Sequence, residues 1–302
     1  MTDLAVEHDG LRPLMFSIAY RMLGSVSEAE DVVQDSFLRM HRSVAEGTEL
    51  DSPEAFATTV TTRVALDTLR SARVRRESYI GTWLPEPLLA DDSDPAHQIE
   101  QDETVSVAFL VVLERLSPVE RAVFLLREVF AYEYSEIATI IGKSEANCRQ
   151  VLVRAKRHLD AERPKLAHAE RQDELADAFF SALLEGDLES LEQLLAKDAA
   201  AYGDGGGKAP ARRQPVHGGV AVARFILGLA RQRDRIGVHI LRTHANGQPA
   251  LELRSDDDKI LGVLTVDVTE DAVVGVRNQI NPDKLGHLGE VGDLAGLMSR
   301  PR

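Results

Sequence analysis

Ser117-Pro118-Val119-Glu120-Arg121-Ala122-Val123-Phe124-Leu125-Leu126 opens the tract, residues 117–159, whose reading decides the fold: three short helices ending in a helix-turn-helix with a basic last helix. Ser117 suits the N-cap, Pro118 the first helical turn, and Glu120 can return the capping-box hydrogen bond. Val119, Ala122, Val123, Leu126 and Val129 then share one helical face. A second helix, Tyr134-Ser135-Glu136-Ile137-Ala138-Thr139-Ile140-Ile141, stops at Gly142, the tight turn, and a third opens with Ser144 as cap and Asn147 one turn in. In the third helix Cys148, Val151, Leu152, Ala155 and Leu159 recur at three- and four-residue steps and face the core, leaving Glu145, Arg149, Gln150, Arg154, Lys156 and Arg157 outward. Arg reads guanine and Gln or Asn reads adenine with paired hydrogen bonds, while later Arg and Lys neutralise phosphates. A structural bundle with a solvated charged face is the plainer alternative. The coincidence of a short apolar helix, a glycine and a polar-then-basic helix favours the DNA-reading layout.

Composition sets the limits. The 302 residues carry 35 Lys and Arg against 49 Asp and Glu, a formal net charge of -14, so the chain has put positive charge on that helix against its overall balance. A general polyanion binder needs a broad basic surface, so DNA contact here is expected to be local or assisted by a partner. Length and a 44% hydrophobic content allow two or three cores. No stretch approaches the roughly 20 apolar residues of a membrane helix, and Met1-Thr2-Asp3-Leu4 lacks signal-peptide character, so a cytoplasmic location is expected. The one cysteine, Cys148, excludes an internal disulfide and a cysteine metal cluster, and on an apolar helix face its thiol is expected to be inert. No cofactor or metal is implied.

The chain divides by texture into residues 1–77, helical; 78–102, a Pro- and Asp-rich linker without Lys or Arg; 103–165, the helix-turn-helix domain; and 170–302, mixed. In the first segment Leu11, Leu14, Met15, Ile18, Ala19 and Leu23 follow helical spacing up to Gly24. Ser27 is read as the cap of a second helix in which Val33, Phe37 and Leu38 pack inward and Glu30, Asp31, Gln34 and Asp35 form an acidic rim. After Pro53, residues 55–76 read as a third helix, apolar at Phe56, Val60, Val64, Ala65 and Leu69, with Arg63, Arg70, Arg73, Arg75 and Arg76 gathering toward its end. Arginines there satisfy the helix dipole or contact nucleic acid equally well.

Two helical units, each with a basic helix and joined by a proline-rich tether, can touch two separated DNA elements. Ala29-Glu30-Asp31-Val32-Val33-Gln34-Asp35-Ser36-Phe37-Leu38-Arg39, Leu116-Ser117-Pro118-Val119-Glu120-Arg121 and Tyr134-Ser135-Glu136-Ile137-Ala138 together resemble a bacterial sigma factor of the extracytoplasmic-function (ECF) class. The resemblance implies core RNA polymerase and promoter DNA as partners. It assigns polymerase binding to Glu30, Asp31, Gln34, Asp35, Phe37 and Leu38. The -10 element falls to Arg63, Asp67, Arg70, Arg73, Arg75 and Arg76, with residues 45–53 holding an extruded base. The -35 element falls to Ser144, Glu145, Asn147, Arg149, Gln150, Arg154, Lys156 and Arg157. Residues 78–102 would thread toward the polymerase active-site channel.

Beyond residue 170 come amphipathic helices, at Leu175, Phe179, Phe180, Leu183 and Leu184 and then Leu188, Leu191, Leu194 and Leu195, and a further helix over 218–231. Strand-like runs follow at 238–244, 250–254, 260–268 and 272–279, with Asn246-Gly247 as a hairpin turn. This order resembles the cone-shaped α+β fold of the SnoaL-like branch of the nuclear-transport-factor-2 (NTF2) superfamily. Trp83-Leu84-Pro85-Glu86-Pro87, Asp204-Gly205-Gly206-Gly207-Lys208 and Asn281-Pro282-Asp283-Lys284-Leu285 resemble, in order, the signature trio of sigma factors with a fused SnoaL-like domain. That resemblance implies regulation in cis, with the extension packing on the first helical domain and on the linker. From the residues, the glycines permit positive φ and close approach, Asp204 and Lys208 are free to pair, and Trp83 suits an apolar recess. His217, His239, His244 and Asp267 offer an acid–base set inside a cone, but histidines on strands more often serve structure, so no enzyme is expected. The expected architecture is therefore two all-α sigma domains, the second a helix-turn-helix, followed by an α+β cone of SnoaL/NTF2 type. The rival is a one-component helix-turn-helix regulator with a ligand-sensing cone.

Overall fold

The computed structural model describes residues 4–48, 50–89, 105–160 and 166–299. They fall into two compact units: the first gathers the described parts of Met1–Ser78, Asp92–Val105 and Phe109–Arg163, the second those of Tyr79–Asp91, Ser106–Ala108 and Pro164–Arg302. The two segments read as separate helical domains thus share one unit, and the described part of the linker belongs with the C-terminal sheet. The acidic run 91–95 and the expected boundary at 161–165 lie outside the described residues.

In the first unit α1 (Leu4–Leu23), α2 (Val26–Ala45) and α3 (Pro53–Glu77) pack on one another. Gly24, at φ 65°, ends α1, its N–H donating to Tyr20 O at 2.7 Å. The cap of α2 is Ser25 and not Ser27: Ser25 Oγ accepts from Glu28 N at 3.2 Å. The helix starts early because Val26 is itself buried. Ser52 caps α3 in the same way, accepting from Ala55 N at 3.2 Å.

From Phe109 the same unit continues through the rest of α4 (Val107–Leu113), then α5 (Pro118–Phe124), α6 (Tyr134–Ile141) and α7 (Glu145–Asp160). The capping box is formed: Glu120 Oε2 accepts from Ser117 N at 3.0 Å while Ser117 Oγ accepts from Glu120 N at 3.4 Å. A π-helical turn, Leu125–Val129, prolongs α5 and closes with Phe130 N on Leu125 O. Gly142, at φ 71°, ends α6 in the left-handed conformation that lets its N–H return to Ala138 O, and so sets the turn into α7.

The second unit is a sheet backed by helices. α8 (Ala169–Glu185), α9 (Leu188–Leu194), β1 (Leu195–Asp204), β2 (Val216–His217), α10 (Gly219–Ala230), α11 (Arg233–Ile236), β3 (Val238–Ala245), β4 (Gln248–Ser255), β5 (Ile260–Val268), β6 (Val273–Gln279) and α12 (Leu294–Ser299) follow in order. The six-stranded sheet runs β2-β1-β6-β5-β4-β3, parallel between β1 and β6 and antiparallel elsewhere. Phe179, Phe180 and Leu183 of α8 and Val222, Ile226 and Leu227 of α10 bury against Leu251, Leu264, Val266 and Val276. Asn246 and Gly247 hold φ of 56° and 67°, as the β3–β4 hairpin requires. This is the α+β cone expected from the SnoaL/NTF2 resemblance. β1 was not foreseen. Leu195-Ala196-Lys197-Asp198-Ala199-Ala200-Ala201 has helical propensity, and pairing with β6 overrides it.

Candidate functional site

On α7 the core residues Cys148, Val151, Leu152, Ala155 and Leu159 are all buried. Burial pushes the Cys148 thiol up, which keeps it unreactive. Ser144, Glu145, Asn147, Arg149, Gln150, Arg154, Lys156 and Arg157 are all exposed. Ser144 caps the helix, accepting from Asn147 N at 3.3 Å. Arg149 is held by Glu145 at 2.8 Å and lies 4.6 Å from the Tyr134 ring centroid, whose ring also takes Arg127 at 5.0 Å. Lys156 pairs with Glu128 at 2.8 Å, and Arg154 and His158 lie 3.9 and 3.8 Å from Glu120. Burial works to raise the Glu120 carboxyl, but its Ser117 hydrogen bonds with His158 and Arg154 hold it below the usual range. Val153, 56% exposed beside Gln150 and Arg154, was missed by sequence reasoning. Its phase with Arg149 and Gln150 would have found it. An outward valine beside these polar side chains adds an apolar point to the exposed face of α7.

The α3 side chains are engaged within their own unit. Arg63 donates to Ile140 O at 2.9 Å and Thr139 O at 2.8 Å, taking up carbonyls at the end of α6. Arg73 reaches Leu116 O at 3.4 Å, Arg70 pairs with Asp67 at 2.7 Å, and Arg75 pairs with Glu28. Arg76 donates to Glu114 and to Leu23 O. Arg121, wholly buried, donates to Leu113 O at 3.1 Å, to Met22 O at 2.7 Å and to Glu114 at 2.6 Å. Burial alone would raise the Glu114 carboxyl; Arg121 and Arg76 outweigh it and hold it below the usual carboxylate range. Desolvation, by contrast, lowers the Arg121 guanidinium against the pull of Glu114. Arg76 is therefore a structural arginine in this packing, tying α3 and the end of α1 to α4.

The acidic rim of α2 is narrower than the sequence suggested. Asp31, Gln34 and Asp35 are exposed, but Glu30 is half-buried against Arg12 at 2.7 Å, and Phe37 is buried in the core. Leu38, expected inside, is 54% exposed. Residues 31, 34, 35 and 38 share one helical stripe, so the surface is an apolar leucine flanked by acids, and Phe37 is not part of it.

In the second unit the three motifs converge on one carboxylate. Asp204, at the end of β1 and fully buried, accepts at Oδ2 from Leu84 N at 2.8 Å, Gln279 Nε2 at 3.3 Å and Lys284 Nζ at 2.7 Å, and at Oδ1 from Gly206 N at 3.0 Å and from the Tyr79 hydroxyl. Lys284 also donates to Leu84 O at 2.6 Å, and Gln279 to Leu84 O and Pro85 O at 3.2 and 3.1 Å. Burial, then the bond to Asp204, raises the Tyr79 phenol, so it remains a donor while accepting from Asn281 Nδ2 at 2.8 Å. Asp204 and Lys208, expected to pair, choose other partners: Asp204 takes Lys284, and Lys208 takes Asp283 at 2.7 Å. Gly206, at φ 57°, leaves no room for a Cβ against Asn281.

Residues 79–89 are thereby strapped across one end of the sheet, over the last residues of β1 and β6 and the β3–β4 turn. Leu84, Pro85, Glu86 and Pro87 are buried; Leu88 N donates to Asn246 Oδ1 at 3.1 Å, Asn246 N to Leu88 O at 2.8 Å, and His287 meets Pro87 O at 2.7 Å. Leu285 is buried too, beneath Leu89 and Ile260, while Pro282 starts the 3-10 turn that presents Lys284. Trp83 is half-buried, and it presents its ring to the Lys284 ammonium at 4.3 Å instead of filling an apolar recess. Tyr79, Asn246, Gln279 and His287 were not foreseen. Tyr79 and Gln279 lie beside motif residues, and that adjacency was their signal.

The four residues considered for acid–base chemistry do not meet. His239 pairs with Asp256 at 2.8 Å and His244 with Asp173 at 3.1 Å on the surface, His217 is exposed on β2, and Asp267 is buried on Arg277 at 2.8 Å.

The Sigma-70 region 2 family matches residues 9–75 and the Sigma-70 region 4 family residues 106–159. The ECF RNA polymerase sigma factor SigJ of Mycobacterium tuberculosis is 40% identical over 231 residues, covering 75% of this chain and 73% of the relative. The probable ECF sigma factor SigI of the same species is 31% identical over 291 residues, 92% of this chain and 93% of that protein. The crystal structure of M. tuberculosis SigJ superposes with a TM-score of 0.76 at 32% identity, covering 93% of this chain and 98% of that one. With the capped helix-turn-helix, the α3 arginines and the fused cone all in place, the chain belongs to the ECF RNA polymerase sigma factors.

Proposed function

We propose that this sigma factor binds core RNA polymerase, directs it to promoters with -35 and -10 elements and helps open them, and that the C-terminal unit regulates it in cis by holding residues 79–89. The observation that carries the first part is the exposed polar face of α7 on a capped helix-turn-helix; the observation that supports the second is the buried Asp204 clasp. The stripe of Asp31, Gln34, Asp35 and Leu38 is the proposed polymerase surface. The packing of α6 on Arg63 makes this a closed form. Arg63 must exchange two carbonyls for phosphate before α3 reads a -10 element.

Run-off transcription with core polymerase tests the reading, using full-length protein and a form ending at Leu285. The shorter form lacks His287, which meets Pro87 O, and Gly292, which bonds Ile260 O at 2.9 Å, but keeps the Asp204–Lys284 pair. Both forms are expected to give promoter-specific transcript, the shorter with changed output. No specific transcript from either would overturn the sigma-factor reading, and equal output would overturn regulation through the strap.

On α7 different substitutions separate base reading from phosphate contact. Gln150→Ala in the polymerase-bound form is expected to relax selection at one -35 base pair by about 1–3 kcal/mol. Arg157→Ala is expected to weaken all sequences alike and reduce the salt-dependence slope by about 1. Band-shift titrations over a salt series with promoter variants distinguish the two patterns.

A further inference from the structure

The C-terminal unit holds a partly open cavity of about 130 Å³ between α8, α10, α11, α12 and the sheet, walled by Leu183, Phe225, Ile226, Leu251, Leu264 and Val276. Asn278 also lines it, and its buried Oδ1 has no hydrogen-bond partner. A buried carbonyl oxygen left unmatched is costly, and none of the residues around Asn278 bonds its Oδ1. A cavity of roughly 150 Å³ lined by apolar side chains admits benzene, so the space here suits one ring. The side-chain amide can also present its NH₂ end by turning over, and a hydroxyl answers either orientation because it both donates and accepts.

No Asp, Glu or His lines the space, so it is equipped to bind and not to move protons. Four other polar residues reach its wall, each with a contact of its own: Arg212 lies over the Phe225 ring at 5.7 Å, Arg233 donates to Leu184 O at 3.1 Å, Gln232 donates to Gly228 O at 3.1 Å, and the Tyr202 ring faces Arg277 at 4.7 Å. We infer that the cone binds a single-ring-sized apolar molecule carrying one hydroxyl, seated with that hydroxyl on Asn278. The site lies on β6, whose residues alternate: Val276, Asn278 and Ile280 face the cavity, while Gln279 between them holds the strap at Leu84 O and Pro85 O. Occupancy of the cavity and retention of the strap therefore bear on adjacent residues of one strand.

The test uses the full chain and three probes in calorimetric titrations: 4-ethylphenol, ethylbenzene and 4-ethylbenzoate. The phenol is expected to bind at one site with a Kd on the order of 0.1 mM, about fivefold or more tighter than ethylbenzene. Asn278→Leu should abolish the phenol's advantage while leaving ethylbenzene binding in place. Ala230→Phe, which fills the cavity from α10, should abolish both; far-UV circular dichroism establishes that each variant is folded. If Ala230→Phe does not fold, competition between ethylbenzene and the phenol on the wild-type chain reads the shared site instead, and absence of competition counts against it. Absence of saturable phenol binding, a phenol preference that survives Asn278→Leu, or tightest binding of the benzoate would each overturn the proposal.

Discussion

Asp204→Ala is expected to destabilise the C-terminal unit by about 3–5 kcal/mol, because it leaves the Lys284 ammonium buried without its counter-charge. Lys284 is only 9% exposed, and its Nζ is also bonded to Leu84 O at 2.6 Å. The same change removes the acceptor for Leu84 N, the Tyr79 hydroxyl and Gly206 N, so the strap loses its main anchor. For a unit of this size the melting temperature should fall by roughly 10 °C. Chymotrypsin should then cut near Tyr79 under conditions that spare the parent. Asp204→Ala with Lys284→Met removes both charges and should recover at least half of the loss, since replacing a buried pair by apolar groups is often neutral. A single variant that melts within a degree of the parent would show that the carboxylate does not hold the strap.

Arg121→Ala should produce the matching effect in the helical unit, again about 3–5 kcal/mol. Its guanidinium satisfies Leu113 O, Met22 O and one oxygen of Glu114 in a site closed to solvent, and no alanine reaches any of them. Glu114 would then depend on Arg76 alone. Arg121→Lys should recover only part, because one ammonium cannot reproduce the fork that serves three acceptors. The parent pair also predicts an acid limit. Glu114 is depressed in the folded protein, so its contribution is fully present above the ordinary value of 4.5 and is lost as pH falls through the lower folded value. Melting temperature should be flat above about pH 5.5 and fall below pH 4.5. In Arg121→Ala that acid-dependent fall should shrink. An unchanged acid profile would show that Glu114 is not held by Arg121.

Most of the helical unit was legible because its signals are local. Ser117 with Glu120, Gly142 and Ser144 mark their helix ends within four residues, and the apolar phase of Cys148, Val151, Leu152, Ala155 and Leu159 gave the buried side of α7 directly. Errors arose where a distant partner decides. Leu38 and Phe37 are adjacent, and only the packing against α1 and α3 settles which one faces in. β1 is alanine-rich and becomes a strand because β6 lies beside it, more than 70 residues later. The same distance hid the exchange of partners at the clasp: Asp204 and Lys208 are neighbours in sequence, but Lys284 arrives on the turn after β6 and takes the carboxylate. The α3 arginines were readable as a cluster, whereas their occupation by the α6 carbonyls, Leu116 O, Leu23 O and Glu114 depends on how one unit folds around them.

The chain contains a single tryptophan, Trp83, and its indole sits under the Lys284 ammonium, with a second aromatic, Tyr79, 4.8 Å from the same cation. Emission from the whole protein excited at 295 nm therefore originates at the strap, with no competing indole elsewhere. Departure of the strap would free the ring from a quenching cation and place it in water, so its intensity and wavelength would follow that event in real time without a label.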